Sequence, residues 1–235
     1  MDAPEVPLAE STTRVEAFSD GVFAIAITLL VLEIRVPHPE TAAAAGHLWA
    51  GLAALWPSYL AFLFSFFVIL VMWVNHHELM RLVRAVDYPL LFANGLVLLL
   101  VTFVPFPTAV LAQHLATSEA TAAVAFYCGT FFLISLTWGL LFLTIARRRL
   151  FRPEVAAATV ARIRRAYAIG PIVYAAATAA AFVHVVLGLV LNTSLWILWI
   201  RLCYRSVQEA DEALGAARQE AVEAPRPWDA PFKQE

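Results

Sequence analysis

From Phe18 to Tyr204 the chain alternates between long apolar runs and short segments that carry arginine. A helix rises ~1.5 Å per residue, so most of these runs reach across a hydrocarbon layer of ~30 Å. Hydrocarbon offers the backbone no hydrogen-bond partner, and an apolar run of that length satisfies its own amides only as a helix. An all-α, polytopic membrane protein is therefore expected. Composition agrees, since 61% of residues are hydrophobic and 14% charged, against about 25% charged in soluble domains. The net charge of −2 leaves no bulk basic field to attract nucleic acid. Cys128 and Cys203 lie in separate apolar runs without metal-like spacing and read as buried thiols.

Six spans are expected within a membrane domain at 13–204, between cytoplasmic tails at 1–12 and 205–235. The first tail holds Asp2, Glu5 and Glu10 but no basic residue, which argues against a signal peptide. Thr13 and Glu16 fit a capping box opening a helix over 13–36 that stops at Pro37. Further spans are expected at 55–74, with Pro57 in the opening turn; at 89–112, with Pro105 and Pro107 near the far end; and at 120–146, ending at Arg147, Arg148 and Arg149. The last run, 166–204, is roughly 58 Å long as a helix, about twice one span. It should fold back near Phe182 to His184 into spans at 165–181 and 185–204. Charge supports this parity: with the N-terminus inside, Arg14, Arg81, Arg84, the arginines between 147 and 165 and those from Arg201 onward all face the cytoplasm, and only Arg35 lies outside. Beyond Arg205, a solvated helix is expected over 206–224, with a weak self-association helix as the alternative, and disorder from Pro225.

Polar residues are costly in a membrane, and the first helix is richest in them. Arg14, Ser19 and Asp20 sit at its cytoplasmic end, Thr28 mid-span, and Glu33 and Arg35 at the outer end. The end charges also suit plain interfacial anchoring. At ~100° per residue, Ile25, Leu29 and Leu32 share a face, with Thr28 at its margin and Gly21 in line below; Asp20 lies nearly opposite, beside Phe23. Several copies of that face around an axis would stack aliphatic rings able to gate by dewetting, although packing on lipid or a neighbouring helix suits the pattern equally. The second helix ends in Trp73, Val74, Asn75, His76, His77 and Glu78, within reach of Arg14 and Asp20. No third metal ligand accompanies the His–Glu pair, and either histidine has a pH-sensing chemistry. Asn94, set among Leu and Val in the third helix, is expected to bond a neighbouring helix.

The segment Arg14-Val15-Glu16-Ala17-Phe18-Ser19-Asp20 reads R-x-x-x-F-S-D at the start of a first membrane helix. It resembles the signature of the endolysosomal potassium channel family, transmembrane protein 175, in its bacterial single-repeat branch. Gly21 to Leu32, Trp73 to His77, and Asn94 with Pro105-Phe106-Pro107-Thr108 are similar to that family as well. The resemblance implies a multi-pass protein of the bacterial cell membrane, a homotetramer that passes potassium ions without a cofactor. No TVGYG-type filter is present. It places the hydrophobic pore layers on Ile25, Leu29 and Leu32, with Thr28 as the hydroxyl near the path. Arg14, Phe18, Ser19, Asp20, Trp73, Asn75, His76, His77 and Asn94 would form a network that fixes the pore helix. Two rival readings stand beside it: a secondary transporter, for which Thr28 and Asn94 are thin material, and an intramembrane enzyme using His76, His77 and Glu78.

Overall fold

The structure, a computed structural model, describes residues 8–37 and 47–201. Helix α1 covers Leu8–Leu29 and tightens into a 3₁₀ turn over Leu30–Glu33. There follow α2 (Leu48–Ala54), α3 (Trp56–Arg81), α4 (Tyr88–Phe103), α5 (Pro105–His114), α6 (Ala120–Arg147), α7 (Ala157–Ala181) and an apolar helix α8 (Val185–Arg201). Four stretches are long and apolar enough to cross a membrane: Thr12–Glu33, Trp56–Arg81, Tyr88–His114 and Ala120–Arg147. Cys203 and the expected C-terminal tail lie outside the described residues.

Several boundaries differ from the sequence reading. Helix α1 starts before Thr13, which is therefore no N-cap; buried Thr12 is in phase with buried Val15 and Ser19, so the inward face simply continues. Helix α3 runs on to Arg81 because no breaker follows Val74 and because Asn75, His76, Leu79 and Met80 stay buried. The third apolar run is two helices. Pro105 has no amide hydrogen for the Val101 carbonyl, which accepts instead from the Val104 amide at 3.2 Å, and the chain restarts with Pro105 in the first turn of α5. Helix α2 was not anticipated.

The last apolar run does turn at Phe182 to His184. His184 Nδ1 accepts the Val186 amide at 3.2 Å and caps α8. Helices α7 and α8 then approach so closely that a Cβ on Gly188 would lie 2.9 Å from the Ala181 Cβ. Helix α6 is the hub, packed on α4, α5 and α7, with Tyr127, Phe131, Trp138 and Leu141 buried along it. Helix α1 lies at the margin: 22% of its apolar window is buried, against 39–50% in the other three spans.

At one end of the bundle the loops after α3 and α6 are clasped together. The Arg84 amide donates to the Leu150 carbonyl and the Arg152 amide to the Leu82 carbonyl, each at 2.9 Å, around a bridge between Val83 and Phe151. Helix α6 ends in a Schellman turn, with the Leu150 amide 3.0 Å from the Ile145 carbonyl and Arg149 at φ 57°. Asp87 caps α4 through the Leu90 amide at 3.0 Å and accepts Arg148 Nε at 2.7 Å. Partial burial pulls the Asp87 carboxyl upward. The Arg148 hydrogen bond, the Leu90 amide and the Arg148 charge outweigh it and hold the carboxyl below its ordinary value.

Two stability predictions follow from this clasp. A left-handed arginine is strained where glycine is not, so Arg149→Gly should stabilise by up to about 1 kcal/mol, a rise of roughly 2–4 °C in melting temperature in detergent. A lower melting temperature would show that the Arg149 side chain contributes more than its backbone costs. Asp87→Asn keeps a capping side chain but loses the ion pair, and should cost at most about 1 kcal/mol near neutral pH. Because the folded-state pKa is depressed, that contribution is complete above the ordinary carboxylate value and disappears as pH falls through the lower folded value. Melting curves of parent and variant should therefore converge below about pH 4; a constant gap down to pH 3 would mean that the charge contributes nothing.

Candidate pore helix and its polar latch

Helix α1 has two unlike faces. Val15, Ser19, Phe23, Ala26 and Leu30 are buried against α3 and α4, and Leu30 sits in the 3₁₀ turn that also meets α5. On the other side Ile25, Leu29 and Leu32 are 57%, 41% and 70% exposed, Thr28 is exposed, and nothing lies within 4 Å of where a Gly21 Cβ would be. The four residues expected from the sequence thus share the face that the other described residues leave uncovered. The 3₁₀ winding brings Leu32 into line with Leu29, since side chains three apart eclipse there. Thr28 Oγ1 donates to the Ile25 carbonyl at 2.9 Å, so its hydrogen is committed within the helix and its lone pairs remain available.

The buried face is fastened by a directional hydrogen-bond chain. Ser19 Oγ donates to the Val15 carbonyl at 2.8 Å and can therefore only accept from Asn94 Nδ2, at 3.0 Å. The Asn94 carboxamide oxygen is left facing His76 Nε2 at 2.7 Å, and an amide oxygen only accepts, so His76 carries its hydrogen on Nε2. One residue from each of α1, α4 and α3 is joined in this way, and all three side chains are buried. His76 Nδ1 has no hydrogen-bond partner among the described residues, and the ring packs between Phe23 and Trp138, at centroid distances of 5.4 and 6.1 Å. At the bundle edge Trp73 Nε1 donates to Asp20 Oδ1 at 2.8 Å, a second tie between α1 and α3.

The structure does not gather every residue expected in this network. Arg14 and Phe18 are exposed on the face of Ile25, because their helical phase is that of Ile25 rather than of Ser19. Asn75 Nδ2 bonds the Val71 carbonyl of its own helix at 2.8 Å and borders a cleft of about 30 Å³ beside Trp138, Tyr167 and Tyr174. His77 lies next to Trp73, with ring centroids 6.4 Å apart, and does not reach Asn94. Glu78 pairs with Arg81 at 3.2 Å. Among the described residues no group of three or more His, Cys, Asp or Glu side chains is placed to hold a metal ion.

A second polar chain has no counterpart in the sequence reading. Thr108 Oγ1 donates to the Val104 carbonyl at 2.8 Å, so it accepts from Ser65 Oγ at 2.6 Å, and Tyr127 Oη donates to Ser65 at 3.1 Å. It joins α3, α5 and α6 at the proline break. Only Thr108, beside two prolines, carried a hint; isolated hydroxyls such as Ser65 and Tyr127 in apolar helices give no pattern.

A multi-pass α-helical membrane protein results, with one helix fastened on one face by packing and buried hydrogen bonds and left bare by the described residues on the other. A family model described as the endosomal/lysosomal potassium channel TMEM175 matches residues 14–105. A potassium channel of Chamaesiphon minutus is 48% identical over 182 residues, covering 77% of this chain and 89% of that protein. One of Streptomyces collinus is 46% identical, covering 75% and 85%. The crystal structure of the lysosomal potassium-selective channel TMEM175 homologue from Chamaesiphon minutus superposes with a TM-score of 0.73 at 46% identity, covering 84% of this chain and 98% of that one. The human endosomal/lysosomal proton channel TMEM175 is 41% identical over 100 residues, one fifth of its length. The chain belongs to the TMEM175 family. That family and these relatives are ion channels rather than enzymes, which sets aside the enzyme reading of His76, His77 and Glu78.

The latch is testable by its asymmetry. Asn94→Ala leaves the His76 N–H without an acceptor in the interior, at about 1–3 kcal/mol, whereas Asp20→Ala removes a bond at the bundle edge and should cost less. Thermal melts in detergent should rank Asn94→Ala below Asp20→Ala, with Asp20→Asn, which keeps an acceptor for Trp73, closest to the parent. Equal melting temperatures for Asn94→Ala and the parent would mean that the buried amide does not hold α1, leaving packing and the Trp73–Asp20 bond.

Proposed function

We propose that four copies of this chain assemble around one axis as a potassium-preferring cation channel, with the bare face of each α1 lining the path. The observation that carries this reading is the exposure of Ile25, Thr28, Leu29 and Leu32 on a helix whose opposite face is locked by buried hydrogen bonds. Ile25, Leu29 and Leu32 form the constriction, where a ring of aliphatic side chains opposes wetting. Thr28 supplies the one hydroxyl layer, with its lone pairs free for a cation. The remaining apolar surface meets membrane lipid, α7 and α8 complete six spans, and both termini face the cytoplasm on the side of the arginine-bearing loops. Potassium is favoured as the permeant ion because the relatives spanned over most of their length are named for it, whereas the human protein named for protons is matched over only a fifth. Permeation is downhill and needs no cofactor.

Unitary current steps in a planar bilayer separate this channel from the transporter alternative, which turns over too slowly to produce them. Leu29→Asn should wet the constriction and raise flux in potassium-loaded liposomes; unchanged flux in polar variants of Ile25, Leu29 and Leu32 alike would remove the path from this face. With aliphatic rings and one hydroxyl layer, selectivity should be modest. Thr28→Val, nearly the same size, should shift the reversal potential under mixed potassium and sodium gradients toward less preference for potassium. An unaltered reversal potential would assign selectivity to the aliphatic layers instead.

A further inference from the structure

The clasp between the loops after α3 and α6 gathers charge as well as backbone. It brings Arg81 and Arg84 of one loop against Arg149 and Arg152 of the other: Arg84 Nη2 donates to the Arg149 carbonyl at 3.3 Å, and Arg152 Nε to the Arg81 carbonyl at 2.9 Å. Arg81 is paired with Glu78, and neighbouring Arg148 with Asp87. Arg84, Arg149 and Arg152 have no carboxylate within ion-pairing distance among the described residues. Each of the two anchored guanidiniums spends one N–H on a carbonyl and keeps the rest of its five-donor fork for another acceptor. The C-terminal ends of α3 and α6 offset part of the repulsion. Orienting a membrane protein requires only that loops carry arginine. It does not require two distant loops to be bonded together so that unpaired arginines converge.

We propose that this clasp binds the phosphate headgroup of an anionic phospholipid. A guanidinium fork matches phosphate oxygens in geometry and charge. The level of the cluster selects a lipid over a soluble phosphate, since Arg81 and Arg147 are the last residues of two membrane-spanning helices and the clasp follows directly, where headgroups lie. The inference needs only that α3 and α6 cross the membrane, and stands or falls independently of conduction.

The test is native mass spectrometry of the full-length, delipidated protein offered equal phosphatidylglycerol and phosphatidylcholine. The parent should retain phosphatidylglycerol preferentially, and millimolar inorganic phosphate should not displace it. The double variant Arg84→Gln with Arg152→Gln should lower phosphatidylglycerol retention at least about tenfold and leave phosphatidylcholine unchanged. Should the loss of two carbonyl contacts unfold that variant, Arg149→Asn answers the same question, because asparagine suits the left-handed backbone and the Arg149 side chain holds no hydrogen bond or ion pair in the clasp. It should lower retention several-fold on its own. Equal retention of both lipids by the parent, displacement by inorganic phosphate, or parental retention in Arg149→Asn would each overturn the proposal.

Discussion

Helices in hydrocarbon gain little from hiding apolar surface, because lipid is as apolar as a neighbouring leucine; close packing and interhelical hydrogen bonds must hold them together. Helix α1 feels this constraint most, since one whole face finds no partner among the described residues. The Asn94 carboxamide is the joint on which its placement depends. It donates to α1 through Ser19 and accepts from α3 through His76, so both halves of one buried amide are used and the three helices are fixed in rotation as well as in distance. Rotation matters more here. A turn of α1 by the angle between adjacent residues would carry Ile25 and Leu29 toward the bundle and the Ser19 face toward the opening.

The other end of α1 is held indirectly. Leu30, fully buried, packs in the 3₁₀ turn against α3 and α5, and α5 exists as a separate helix only because Pro105 interrupts the run. A break of this kind frees backbone groups that hydrocarbon cannot satisfy. The chain from Tyr127 through Ser65 and Thr108 ends on the Val104 carbonyl at the break itself. The carbonyl that Pro105 leaves, on Val101, is taken by the Val104 amide, and the hydroxyl chain adds a second donor to a Val104 carbonyl that already accepts the Thr108 amide, so the wall that receives Leu30 is tied by polar contacts as well as by apolar packing.

What the sequence disclosed follows from which physical signals are periodic. Run length against bilayer thickness located the four long spans and the turn at Phe182 to His184, because those are one-dimensional quantities. The uncovered face of α1 was legible from the 100° step alone. The same step separates Arg14 and Phe18 from Ser19: all three stand in one contiguous motif, yet contiguity in sequence scatters residues around a helix. Two adjacent histidines could not be ranked. The structure turns His76 inward, in phase with buried Met72, Leu79 and Met80, and leaves His77 beside Trp73. Hydroxyl partners were illegible because Ser65 and Tyr127 acquire their role only when three helices meet.

The winding of one turn links the latch to the proposed constriction. Over the three residues from Leu29 to Leu32, an α-helix turns through about 300° and a 3₁₀ helix through about 360°. The observed 3₁₀ turn therefore stacks Leu32 on Leu29, whereas an α-helical continuation would swing it about 60° aside. Leu30 opens that turn about a third of a revolution from Leu29 and is fully buried. Its packing against α3 and α5 thus fixes the winding that aligns the two leucines. Side chains with no access to the uncovered face, Leu30 and behind it the hydroxyl chain at the proline break, set how Leu29 and Leu32 are arranged on that face.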